Sequence, residues 1–214
     1  MKMLNNELEN QFKEVFTQLT DNVTIALFTD SGSCSSCEET KEFMEELVPL
    51  SEKLNLVHYT LEENDDLAKR FNVTMVPSIV LLDKDLNYKG VKFNGIPAGH
   101  EINAFIPALL EVSGTTSDLP EDLTKVIESF DKPVNIKVFV TLACPHCSGA
   151  VQKAHKLALM NENIDAEMIE AQTFMEISNK FNVSGVPKIV INDQYELVGN
   201  QPIQAFIDEM QKIS

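Results

Sequence analysis

Nowhere in these 214 residues does the chain run apolar for longer than a β-strand. Stretches such as "VTIALF" and "SIVLL" fall far short of the ~20 residues that a transmembrane helix requires, so no membrane partner is expected. Positive charge is also scarce. There are 17 Lys and Arg against 33 Asp and Glu, a net charge of −16, and Arg70 is the single arginine. That balance excludes the basic face needed to hold nucleic acid or an anionic membrane surface. Residues 1–115 carry net −10 and residues 116–214 net −6, so neither half is a charged docking arm. The acidity reads as solubility. The opening "MKMLNNELENQF" has no signal-peptide core, and a cytoplasmic location is expected, where thiols stay reduced. One arginine, frequent asparagines and eight methionines also argue against a hyperthermophilic host.

What the sequence does hold is one phrase written twice. "RFNVTMVPSIVL" at 70–81 returns as "KFNVSGVPKIVI" at 180–191, an offset of 110 residues. The same offset carries Cys34 onto Cys144, Cys37 onto Cys147 and Pro77 onto Pro187, each proline preceded by valine. A shared spacing from cysteine pair to proline indicates an internal duplication.

The periodicities of the two halves agree. In the first, "VTIALFT" reads as a buried strand. Residues 37–54 place Phe43, Leu47, Leu50 and Leu54 at helical spacing, with Pro49 expected to kink or interrupt the helix. "NLVHYTL" reads as a strand, "DDLAKRF" as a short helix, and "SIVLLD" with "YKGVKF" as a hairpin turning near 85–87. Residues 99–112 close the half with a helix. The second half repeats this order: strand 135–141, helix 145–160, strand 164–170, helix 173–181, strands 188–192 and 195–198, helix 202–212. Each half also opens with a helix, at about 4–19 and 120–130. The small, polar "SGTTSDLP" at 113–120 marks a boundary, giving expected domains of 1–115 and 116–214. Mixed strands covered by helices make an α/β layer fold. An early strand, then Cys-x-x-Cys, then a helix points to two tandem thioredoxin-like domains, each a central mixed sheet flanked by helices.

Both cysteine pairs stand where a helix begins. Unpaired N–H groups and the positive end of the helix dipole stabilise a thiolate there. One thiolate attacks a substrate disulfide and its neighbour resolves the mixed disulfide. Cys34 and Cys144 are assigned as nucleophiles, Cys37 and Cys147 as resolving thiols. A shared Cys₄ zinc site is the competing reading. It usually brings pairs ~15–20 residues apart, whereas 106 residues separate Cys37 from Cys144. No metal or cofactor beyond the redox-active disulfides is therefore expected. His146, inside the second pair, is expected to favour the Cys144 thiolate and make that disulfide the better oxidant. Ser35 and Ser36 bring only hydroxyls to the first pair, with Glu38 and Glu39 following at once, so the first site is expected to be more reducing. His58, His100 and His155 show no ligand spacing and read as structural. In a thioredoxin-type site a cis-proline lies beside the cysteines and offers the preceding residue's backbone to an extended substrate. Val76-Pro77 and Val186-Pro187 take that role, one pair per site.

These features resemble the glutaredoxin-like protein disulfide oxidoreductases, which have tandem thioredoxin folds with a Cys-x-x-Cys in each. The resemblance spans nearly the whole chain. It rests on "VFVTLACPHCSGAVQKAHKLA" and "FNVSGVPKIVI" in the second half, and on "CSSC", "MVPS" and "FNGIPAGHEINAFI" in the first. It implies dithiol–disulfide exchange on protein disulfide substrates, with a flavin-dependent thioredoxin reductase as electron donor. Family members often carry an aromatic residue before the second cysteine of a site; here Ser36 and His146 stand there. The chain has no tryptophan and no W-C-G-P-C, and no buried strand acid leads into either site, so ordinary thioredoxin is not a close match.

The leading expectation is a two-site protein disulfide oxidoreductase acting mainly as a reductase. A close variant is an electron carrier dedicated to a peroxiredoxin. The tandem thioredoxin module of the alkyl hydroperoxide reductase flavoprotein is similar in design, although these residues contain no flavin domain. A chaperone-like binding module with incidental thiols is the reading from a different class.

Overall fold

In the computed structural model, residues 3–32, 34–115 and 119–213 are described. Helix α1 (Asn6–Phe16) starts where the Asn5 side chain accepts the Leu8 N–H at 2.9 Å, and it buries Phe12 and Phe16, four residues apart on one face. Strand β1 (Val23–Thr29) is buried from end to end, as its unbroken apolar run requires. Helix α2 (Cys37–Leu47) buries Phe43, Met44 and Leu47, and Pro49 converts its continuation into a 3₁₀ turn at Val48–Leu50. The expected helix to residue 54 is therefore too long: Leu54 opens strand β2 (Leu54–Thr60). Helix α3 (Asp65–Arg70) and the hairpin of β3 (Ser78–Leu82) and β4 (Tyr88–Asn94) follow. Asp83 shapes the hairpin turn by accepting the N–H groups of Asp85 and Asn87, both at 2.9 Å. A 3₁₀ turn at Gly99–Glu101 leads into α4 (Ile102–Val112).

The second half supplies α5 (Glu121–Glu128), β5 (Val134–Val140), α6 (Cys147–Met160), β6 (Ile164–Glu170), α7 (Met175–Lys180), β7 (Lys188–Ile191), β8 (Tyr195–Val198) and α8 (Ile203–Met210). The expected boundary at 113–120 includes residues 116–118, which lie outside the described residues.

The repeated "FNV" has a backbone cause. α3 and α7 are each capped by a phenylalanine, Phe71 and Phe181, and Asn72 (φ 52°) and Asn182 (φ 50°) take the left-handed conformation just beyond. Asparagine tolerates that region better than other side-chain-bearing residues. The turn then closes with Val73 N–H on the Ala68 carbonyl at 2.8 Å and Val183 N–H on the Ser178 carbonyl at 2.9 Å.

Each half contributes a four-stranded mixed sheet, and the two join edge to edge. The order is β2-β1-β3-β4-β6-β5-β7-β8, with β4 and β6 running parallel at the seam. Polar groups fix the register there. Buried Lys92 of β4 donates to the Phe71 carbonyl at 3.1 Å and the Asn72 carbonyl at 2.7 Å, with Asp165 at 3.7 Å. Asn94 donates to Glu167 at 2.7 Å across the seam, and Tyr88 donates to Asp165 at 2.6 Å. On the opposite face one apolar core runs through both halves. Phe93 of β4 packs between Phe105 of α4 (centroids 5.0 Å) and His155 of α6 (4.6 Å). Burial of a ring of that size contributes about 2–3 kcal/mol, and here it couples the two halves.

Strand directions place both cysteine pairs on one edge. β1 is antiparallel to β3, β3 to β4, while β4 is parallel to β6 and β6 to β5. β1 and β5 therefore point the same way, and the loops leaving their C-terminal ends open side by side. They lie four strands apart, which at ~4.8 Å per strand is about 19 Å.

Candidate functional site

The sequence-predicted residues assemble into two matching sites. Cys34 and Cys37 are joined with Cα atoms 5.4 Å apart, and Cys144 and Cys147 with Cα atoms 5.5 Å apart. Each disulfide closes within its own motif, so the four sulfurs do not form one cluster. Among the described residues no group of three or more His, Cys, Asp or Glu stands close enough to hold a metal ion. Cys37 and Cys147 are the first residues of α2 and α6 and are buried; Cys34 and Cys144 precede the helices and are half-buried. Cys34 and Cys144, assigned as nucleophiles from the sequence, are the less buried residue of each pair.

Val76-Pro77 and Val186-Pro187 are both cis. In the second site the Cys144 sulfur lies 3.9 Å from the Val186 carbonyl oxygen, so the proline loop and the cysteine loop meet. The Cys144 N–H donates to the Thr141 carbonyl at 3.0 Å. In the first site the Thr40 hydroxyl donates to the Ser36 carbonyl at 2.7 Å, tightening the first turn of α2.

The surroundings of the two sites differ. Glu38 and Glu39 occupy the first turn of α2, while the first turn of α6 carries no acid. Both acids are exposed to solvent. His146 is exposed, and its ring makes no capping hydrogen bond to α6. Of the histidines read as structural, His58 pairs with the Thr29 hydroxyl at 2.7 Å. His155 is buried with Nε2 3.1 Å from the Lys92 carbonyl, and burial pushes its pKa down to about 4.

One residue escaped the sequence reading. Glu101 is fully buried, and neither of its carboxylate oxygens has a hydrogen-bond partner among the described residues. Desolvation pushes its pKa up to about 8, so it is mostly protonated at neutral pH. The turn that carries it belongs to the first half yet packs against the second site. The His100 N–H donates to the Leu142 carbonyl at 2.9 Å, two residues before Cys144. Gly99 fits so closely that an added Cβ would stand 2.5 Å from that carbonyl oxygen. The only signal was the acid within "GHEINAF", and nothing local distinguishes it from a surface glutamate.

Fold and site together define a tandem thioredoxin-fold protein with a Cys-x-x-Cys disulfide in each unit. Residues 134–212 match the thioredoxin domain family model. Among solved structures, the chain is similar to the alkylhydroperoxide reductase AhpF of Enterococcus faecalis, with 28% identity, TM-score 0.91, and 97% of this chain and 99% of that chain covered. It is also similar to a protein disulfide oxidoreductase from Aeropyrum pernix, with 28% identity, TM-score 0.88, and coverage of 97% and 92%. A curated relative, the corresponding alkyl hydroperoxide reductase component of Staphylococcus aureus, is 26% identical over 208 residues. That match takes in 97% of this chain but 38% of the relative's length.

Proposed function

We propose that this chain is a dithiol–disulfide carrier that passes electron pairs from a flavin-dependent reductase to a peroxiredoxin disulfide, with units of 1–115 and 116–214. The observation that carries the reading is the pairing, twice on one sheet edge, of a Cys-x-x-Cys at a helix start with a cis X-Pro loop. In the reduced chain the Cys144 thiolate attacks one sulfur of the acceptor disulfide and expels the other as a thiolate. Cys147, losing its proton, then attacks Cys144 in the mixed disulfide. The acceptor leaves as a dithiol, and the Cys144–Cys147 bond holds the two oxidising equivalents until the donor reduces it. Cys34 and Cys37 perform the same exchange at the first site. Val76 and Val186 offer their main chain to the incoming strand.

Direct exchange between the sites is not part of the cycle. Thiolate attack needs contact of a few ångströms, and about 19 Å of sheet separates the two loops. Each site is loaded and discharged by a partner.

Similarity to alkyl hydroperoxide reductases fits an acceptor that works in peroxide reduction and so supports the peroxiredoxin carrier; the broader protein disulfide reductase stands as the second reading because of the similarity to a protein disulfide oxidoreductase. Second-order rate constants of the reduced chain with a peroxiredoxin disulfide and with a generic protein disulfide separate them. The carrier reading expects at least a hundredfold preference for the peroxiredoxin, lost when Cys34 and Cys144 are both replaced by serine. Equal rates select the broader reductase. Client binding that persists after all four cysteines become serine, with no exchange in the native chain, selects the chaperone-like module.

A further inference from the structure

Building on that exchange reading, we propose that a single extended polypeptide segment lies across both cis-proline loops at once, seated in a methionine-lined groove that joins the two redox sites. The loops precede β3 and β7, which lie four strands apart and start on the same sheet edge. Among the described residues, the backbone N–H groups of Val76 and Val186 donate to no other part of the chain. Both loops thus present main-chain groups that an incoming strand can pair.

The ground between them is shaped as a track. A groove of about 600 Å³ runs from Met75, beside the first cis-proline, along Phe174, Met175 and Ile177 of the second half. A second hollow of about 320 Å³ continues from Met175 to Val183, Gly185 and Val186, reaching Thr141 at the approach to Cys144. Met175 stands on the rim of both and is 65% exposed, unusual for a large apolar side chain in this protein. The groove is not a by-product of the duplication. At the offset of 110, Met75 corresponds to Gly185 and Met175 to Asp65, so neither methionine is repeated. Its wall mixes these apolar side chains with Thr74, Glu176 and Lys180, and it draws on both halves, so it exists only in the tandem arrangement.

These features describe the occupant. A span of about 19 Å takes about six residues of extended chain. Methionine walls adapt to varied apolar side chains rather than selecting one. The net charge of −16 disfavours an acidic segment. The partner is therefore an extended, neutral or basic tail, with a cysteine at one end and alternating apolar and polar residues over the next six positions.

The test uses the oxidised full chain and two labelled peptides with serine in place of cysteine. One keeps three residues around the serine; the other extends six further residues with alternate leucines. Fluorescence anisotropy is expected to show the long peptide binding at least tenfold more tightly. Hydrogen exchange is expected to show amides 74–76 and 184–186 protected together by the long peptide only. Met175→Lys, at an exposed position, is expected to bring the long peptide to the affinity of the short one, with folding checked by thermal melting. Equal affinities, protection of one loop alone, or an undiminished advantage in Met175→Lys would overturn the proposal. Failure of the reduced chain to react with a small aromatic disulfide would overturn the exchange reading instead, and the binding data would still report on the groove.

Discussion

Replacing Glu101 with glutamine removes a buried acid that the fold holds against its solvation preference. The carboxyl has a pKa of about 8 in the folded chain against an ordinary 4.5. A carboxyl whose folded pKa is raised opposes folding increasingly as pH climbs from the unfolded value to the folded one. Below about pH 4.5 both states are protonated and the group is neutral to stability. At pH 7 the unfolded chain has released the proton and the folded chain has kept it, a cost of about 3 kcal/mol, growing to about 5 kcal/mol by pH 9. Wild type is therefore expected to lose about 1–2 kcal/mol from this group between pH 7 and pH 9. Glu101→Gln has a constant offset from its own buried amide but none of that slope. Urea unfolding of both proteins at pH 7, 8 and 9 measures the difference. Parallel pH dependences would refute the assignment of a raised pKa to Glu101.

His155 gives the opposite sign. Its folded pKa of about 4 against 6.5 means that the unfolded chain gains a proton first as pH falls, so about 3 kcal/mol of stability is lost between pH 6.5 and pH 4. A His155→Gln chain should show a flatter acid limb in the same unfolding series. Gly99→Ala should place a methyl against the Leu142 carbonyl at a backbone with φ 58°. It is expected to cost about 1–3 kcal/mol and to lower the exchange rate at Cys144 but not at Cys34, read by site-resolved alkylation. Equal effects at both sites would contradict the placement of that turn against the second site.

Much of this architecture was legible because the chain states it twice. The offset of 110 aligned cysteines, prolines and the "FNV" turns, and each alignment reports a local requirement: a helix start, a loop beside it, a left-handed residue after a helix. Local requirements leave local signals. The errors came where local signals conflict, as at Leu54, which fits the helical spacing of α2 but follows the Pro49 interruption and opens β2. What the sequence could not show is what joins distant segments. "YKGVKF" reads as an ordinary hairpin strand, yet Lys92 is buried because β6 lies beside it. Glu101 reads as a surface acid, yet the turn carrying it is covered by the loop leading to Cys144. The other half helps to set both environments, and no periodicity within either half encodes that contribution.

The central claim is that both pairs are working redox couples. Titration in graded redox buffers, with each pair mapped by mass spectrometry, tests it most directly. The account predicts that Cys34/Cys37 and Cys144/Cys147 each titrate reversibly as two-electron couples. The second pair, with no acid in its helix's first turn, should sit higher by at least ~30 mV, about 1.4 kcal/mol. A pair that stays oxidised across the whole range, or that never forms its disulfide, would contradict the account for that site. Failure of the Cys144/Cys147 pair would contradict it altogether.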